Sequence, residues 1–150
     1  MATSIAECAR LLAQQGVRHH VDAEQSVIRL VFVTQEYRNL RDEKLVVIGI
    51  ETPDDGHRVR ACIARAFAPG ADPAATCLTL CRLAADTPLV SVEFDADFED
   101  LRLVVETAVE DGAISRLQLA AMIDRLAEAA EVWAPVVASL RQTPRQRGAA

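Results

Sequence analysis

Three runs rich in β-branched residues, Ser26–Thr34, Lys44–Thr52 and His57–Phe67, follow one another with no room for a helix between them, and they constrain this chain more than any other feature. In the first run Val27, Ile28, Leu30, Val31, Phe32 and Val33 are apolar on both parities, which predicts a central strand covered on both faces. Pro53-Asp54-Asp55-Gly56 supplies turn chemistry between the second and third runs, so these form a hairpin. In its second strand Val59, Ala61 and Ile63 alternate with Arg58, Arg60 and Cys62, which predicts one apolar face and a basic outer edge at the two arginines.

Capping chemistry places three helices around these strands. Ser4-x-x-Glu7 is a capping box that opens a helix closed by Gly16, with Ile5, Cys8 and Leu12 on one stripe. Asp72-Pro73 reads as N-cap and first helical residue, and the helix ends near Asp86, before Pro88. Its wheel has two apolar faces. Ala74, Cys77, Leu78, Cys81, Ala84 and Ala85 are expected to face the sheet, leaving Leu80 and Leu83, with Thr76 and Thr79, for a second copy of the chain. Two further strands follow. In Leu89–Asp95, Val90, Val92 and Phe94 point inward; in Leu101–Val109, Leu101, Leu103 and Val105 do so, with the acidic loop Asp95–Asp100 between them and Glu110-Asp111-Gly112 ending the second. Ser115-x-x-Gln118 is a second capping box, with Ile114 stapled against Leu119. It starts a last helix whose apolar positions Leu119, Met122, Leu126, Ala129, Trp133, Val136 and Leu140 step by threes and fours, and which Pro135 is expected to kink. This helix is expected to lie on the chain's own sheet.

The 150 residues are the length of one domain, read as residues 1–140 followed by a disordered tail, 141–150, that carries Arg141, Arg145 and Arg147. Sixteen bases against twenty-two acids give a formal charge of −6, and the first 140 residues, with thirteen bases, stand at −9. Such a surface repels polyanions, so nucleic acid is not an expected partner. No apolar run approaches the ~20 residues of a membrane span, and the N-terminus lacks a basic region followed by an apolar one. Neither a membrane nor export is expected; the expected location is the cytoplasm. Cys8, Cys62, Cys77 and Cys81 show no CxxC spacing and sit among apolar neighbours, the pattern of buried, reduced, metal-free thiols.

Cys77 and Cys81, one helical turn apart, are geometrically able to ligate a metal with His57, but no carboxylate or second histidine lies near them in the sequence. His19-His20 is a spacing for a metal or a pH switch, and equally that of one solvated and one half-packed ring. No GxSxG, HExxH or glycine-rich phosphate loop is present, and the carboxylates Asp95, Asp97, Glu99 and Asp100 read as solvated loop acids. No catalytic residue, cofactor or metal site is assigned.

Ala9-x-x-Leu12-x-x-x-Gly16, the strands Lys44–Thr52 and His57–Phe67, the block from Val90 through Glu110-Asp111-Gly112 to Ile114-Ser115-x-x-Gln118, and Ala129-x-x-x-Trp133-x-Pro135 together resemble the YbjN family, a bacterial group that shares the fold of type III secretion chaperones. The segment Thr34–Lys44 is longer than the family's turn, which leaves the pairing of the first strand open. The resemblance implies an α+β fold in the order helix, three antiparallel strands, helix, two strands, helix. It also implies a curved sheet, a tendency to homodimerise and a protein-binding or regulatory role without catalysis. The expected function is a non-enzymatic, chaperone-like or regulatory module that binds an extended segment of a partner polypeptide as a homodimer. A small-molecule-responsive regulatory domain is the alternative, and an enzyme the third.

Overall fold

The computed structural model describes residues 2–109 and 112–142. Helix α1 (Ile5–Gln14) is followed by strands β1 (His20–Asp22), β2 (Val27–Val33) and β3 (Leu45–Glu51), a 3-10 turn (Asp54–Gly56) and β4 (Arg58–Phe67). Helix α2 (Pro73–Asp86), strands β5 (Ser91–Asp95) and β6 (Asp100–Ala108), and helix α3 (Arg116–Gln142) complete the order. The six strands form one antiparallel sheet in the order β1-β2-β3-β4-β6-β5. The α+β class therefore stands, and the strand count is corrected from five to six. The extra strand is β1, whose three residues carry no periodic signal. It is held to β2 by an ion pair from Arg29 to Asp22 at 2.7 Å and by the turn that the Asp22 carboxylate makes with the Gln25 N–H.

All three helices pack on one face of the sheet. Ile28 and Leu30 of β2, Ile48 and Ile50 of β3, Ala61 and Ile63 of β4, and Leu101 and Leu103 of β6 meet Leu12 of α1 and Leu119, Leu126 and Trp133 of α3 in one core. Both helices open at the capping residues as read, but among the described hydrogen bonds only the α3 box is reciprocal. The Ser4 hydroxyl accepts the Glu7 N–H, and at α3 the Ser115 hydroxyl accepts the Gln118 N–H while Gln118 Oε1 accepts the Ser115 N–H. Helix α3 is continuous through Pro135. After Trp133 its buried residue is Val137, with Val136 exposed, because a straight helix drifts from a 3.5-residue repeat by about 20° per heptad. Residues 110, 111 and 143–150, and with them most of the expected tail, lie outside the described residues. Arg141 belongs to α3.

Two expectations are overturned. The first concerns α2, which is rotated about its axis: Leu80 and Thr76 are buried and Leu83 packs against the core together with Cys77 and Ala84 of the expected face, while Leu78 and Cys81 are exposed. Leu80 and Thr76 are thus not available to a second copy, and Leu83 and Thr79 are half-buried. Both faces are apolar, and covering the larger leucines removes more area from water than covering alanines. Thr76 tolerates burial because its hydroxyl donates to the Pro69 carbonyl at 2.8 Å. The second concerns β2, which is not covered on both faces: Val31 is 60% and Val33 85% exposed. Phe94, expected inward, is also exposed.

Candidate interaction surface

With the helices on one side, the other face of the sheet is bare, and its composition changes across the strands. Over β4, β6 and β5 it is a lattice of ion pairs. Arg60 reaches Glu93 at 2.5 Å and Glu106 at 3.3 Å, Arg58 reaches Glu106 at 2.7 Å, and Arg102 reaches Glu93 at 2.9 Å and Asp95 at 3.4 Å. The basic edge expected at Arg58 and Arg60 is therefore neutralised by acids from neighbouring strands. Hydrogen bonding from Arg60 holds the Glu93 carboxyl below its ordinary range. Burial pushes the Cys62 thiol, among these side chains, up to about 11, against the pull of Arg60 and Arg102.

Over β2 and β3 the same face is apolar. Val31 lies opposite Val47, and Val33 opposite Leu45. With Leu40, Ile63 and Ala64 they line an open groove of about 660 Å³, rimmed by Arg41, Glu43 and Arg65. The segment between β2 and β3 forms one wall and is fixed at several points. The Thr34 hydroxyl donates to the Tyr37 carbonyl at 2.7 Å, and the Tyr37 hydroxyl donates to the Ala66 carbonyl at 3.0 Å. The Tyr37 ring meets Phe67 edge-on at 5.8 Å. Burial raises the Tyr37 phenol to about 12.

The edge of β2 adds main-chain groups to this surface. The Thr34 N–H donates to the Lys44 carbonyl at 3.1 Å, so by the alternation of an antiparallel ladder the N–H and C=O of Val33 and Val31 point away from β3. On that side β1 covers β2 only at residues 27–29. Among the described residues no strand pairs with Val31 or Val33 there. Exposed apolar side chains and unpaired main-chain groups coincide.

The other candidates do not converge. Cys77 is half-buried and Cys81 exposed, His57 sits in the β3–β4 connection, and among the described residues no three His, Cys, Asp or Glu side chains form a metal-binding group. His19 contacts the Val17 carbonyl through Nδ1 at 2.9 Å. In the acidic loop, Asp100 is held by Arg65 at 2.7 Å and Asp95 by Arg102. Val31 and Val33 were missed as surface residues because a strand apolar on both parities reads the same whether its second face is covered or bare. The available signal was architectural: three helices cannot cover both faces of so wide a sheet. Among the described residues no helix is long and apolar enough to cross a membrane.

No family model matches the chain, and no curated protein matches it significantly. Among solved structures it is similar to YbjN from E. coli, described as a candidate transcription regulator, with a TM-score of 0.63 and 14% identity over 94% of this chain and 95% of that one. It is also similar to a chain of the heterodimeric ExoU–SpcU complex from the type III secretion system of Pseudomonas aeruginosa, with a TM-score of 0.54 and 19% identity over 85% of this chain and 94% of that one. At these identities the likeness is one of fold. The fold is YbjN-like, with similarity to a type III secretion complex.

Proposed function

We propose that the protein is a non-enzymatic, chaperone-like or regulatory module that binds an extended segment of a partner polypeptide on the apolar half of its open sheet face. The observation that carries this reading is the coincidence at Val31 and Val33 of exposed side chains with an unpaired strand edge. Strand addition draws affinity from main-chain hydrogen bonds and selectivity from alternate side chains, here set against Val47, Leu45 and Leu40. One structural neighbour comes from a heterodimeric complex, which agrees with a fold that works against another protein. The groove is open rather than enclosing, and the displaced titratable groups belong to ion pairs or to buried thiol and phenol side chains, which supports binding over catalysis. Homodimerisation belongs to the same proposal, with the exposed face of α2 at Leu78 and Cys81 as its surface.

Selection of peptides from a random display library, run in parallel on the wild-type protein and on Val31→Asp/Val33→Asp, tests the reading. Enrichment of peptides with alternating apolar residues on the wild type alone is the expected result. The same peptides on both proteins, or no enrichment while a metabolite screen raises the melting temperature by several degrees, moves the function to another surface or to small-molecule sensing.

A further inference from the structure

A second unpaired edge lies at the far side of the sheet, where β5 is the last strand and no strand among the described residues pairs with its outer side. Such an edge is a template for strand addition unless lysine, proline, a bulge or a cover blunts it. Ser91–Asp95 contains neither lysine nor proline and pairs with β6 in unbroken register. Beside it stand Phe94, 57% exposed, and Phe98, 59% exposed, the exposed aromatic side chains of the described residues. Every other aromatic ring is buried or half-buried. Phe94, and the part of Phe98 that Arg65 leaves free, keep aromatic area in water on one hairpin.

The charges around the rings select what covers them. From Ser91 to Asp100 every charged side chain is acidic. Glu93, Asp95 and Asp100 are neutralised by Arg60, Arg102 and Arg65, whereas Asp97 and Glu99 are exposed and enter none of the described ion pairs. The hairpin itself shows the chemistry it accepts. Arg65 Nε donates to the Asp100 carboxylate at 2.7 Å while its guanidinium carbon lies 5.2 Å from the centre of the Phe98 ring. One guanidinium is held by a carboxylate and an aromatic face together.

We infer that the outer edge of β5, with Phe94 and Phe98, is a docking strand for an extended, arginine-bearing segment of a partner protein. The incoming main chain adds to β5 while its guanidinium groups take the carboxylates of Asp97 and Glu99 and the free aromatic faces. Arginine fits better than lysine because its planar, weakly hydrated group stacks on a ring. A second copy of the chain fits poorly, since antiparallel β5 pairing sets acid beside acid, and a polyanion is repelled. This surface meets the Val31–Val33 groove only at Arg65, and its strand edge is the opposite one of the sheet.

A short probe peptide alternating arginine and valine, titrated into isotope-labelled full-length protein, tests the inference by amide chemical shifts. Shifts should centre on residues 91–95 and the turn after them. The arginine probe should bind several-fold more tightly than its lysine counterpart, and methylation of alternate peptide nitrogens should abolish binding. Phe94→Ala/Phe98→Ala, which removes exposed rings, should weaken it about tenfold, and Leu117→Ser, at an exposed position of α3, should leave it unchanged. Equal binding of the two probes that is indifferent to the phenylalanine pair would show a diffuse counter-ion effect and overturn the inference. Shifts centred on β2, or no binding at millimolar probe, would do the same.

Discussion

Glu131, midway along α3, accepts the main-chain N–H of Gln35 through Oε1 at 2.7 Å, and its other oxygen takes the next N–H, of Glu36, at 2.8 Å. One carboxylate on the helix side of the sheet thus fixes the start of the segment that walls the groove on the other side. Replacing Glu131 with alanine frees two donors, and because the site is partly solvated the expected loss is about 1 kcal/mol. The more specific readout is local. Amide exchange in residues 35–44 should accelerate well beyond that of β3, and uniform acceleration across both would remove Glu131 from this role.

The rotation of α2 exchanges the expected places of two leucines, Leu78 and Leu80. Leu80 is fully buried, so Leu80→Ala should cost about 2–5 kcal/mol by lost transfer energy and a residual cavity. Leu78 is exposed, and Leu78→Ala should change stability by less than about 0.5 kcal/mol. If the exposed face joins two copies, Leu78→Asp should halve the mass by light scattering while the chain stays folded. A wild-type monomer, or a dimer untouched by Leu78→Asp, would sink that part of the proposal.

What could be read from the sequence was local and chemical. Ser4, Asp72 and Ser115 cap their helices because a side-chain oxygen three residues before an unpaired N–H is a complete interaction within one short segment. The orientation of α2 was not legible, because both its faces are apolar and the outcome depends on which the sheet can cover. Nor was the bare face of β2, since the Val31 and Val33 pattern suits a buried strand equally well. The ties that shape the groove, Glu131 to Gln35 and Tyr37 to Ala66, join residues 96 and 29 positions apart, and no periodicity reports such pairs.

Glu93 makes the charged half of the sheet acid-sensitive. Its carboxyl lies below the ordinary value of 4.5 in the fold, chiefly through the hydrogen bond from Arg60. The associated stability is therefore complete above that ordinary value and is lost as pH falls through the lower folded value. Urea midpoints of the wild type and Glu93→Gln should differ at pH 7 and converge on acidification below the ordinary value. A gap that stays constant down to about pH 3 would mean that Arg60 and Glu93 contribute nothing titratable.

The cysteines should separate by reactivity. Burial, aided by the nearby Glu7 charge, raises the Cys8 thiol to about 11, and burial raises Cys62 to about 11 as well, so at pH 8 both are almost wholly thiols and poor nucleophiles. Cys81 is exposed on α2. Maleimide labelling of native protein followed by peptide mapping should modify Cys81 first and Cys8 only at the rate of unfolding. Denatured protein prepared without reductant should titrate four thiols. Two or none, or early modification of Cys8, would contradict the assignment.

Val33 offers the sharpest separation of folding from binding. Its side chain is 85% exposed and its main-chain groups face the open edge, so almost none of its area is buried on folding. Val33→Lys should therefore shift stability by no more than about 1 kcal/mol, mostly through lower strand propensity. Lysine is also the residue with which natural sheets discourage strand addition, through its charge and its long hydrated stem. The variant should melt with the wild type, lose the peptides that the wild type selects, and aggregate less at high concentration. Leu30→Lys, three residues earlier and fully buried, should instead unfold the chain, which shows that the tolerance at Val33 reflects its bare face. Peptide binding that survives Val33→Lys undiminished would take the partner away from the β2 edge.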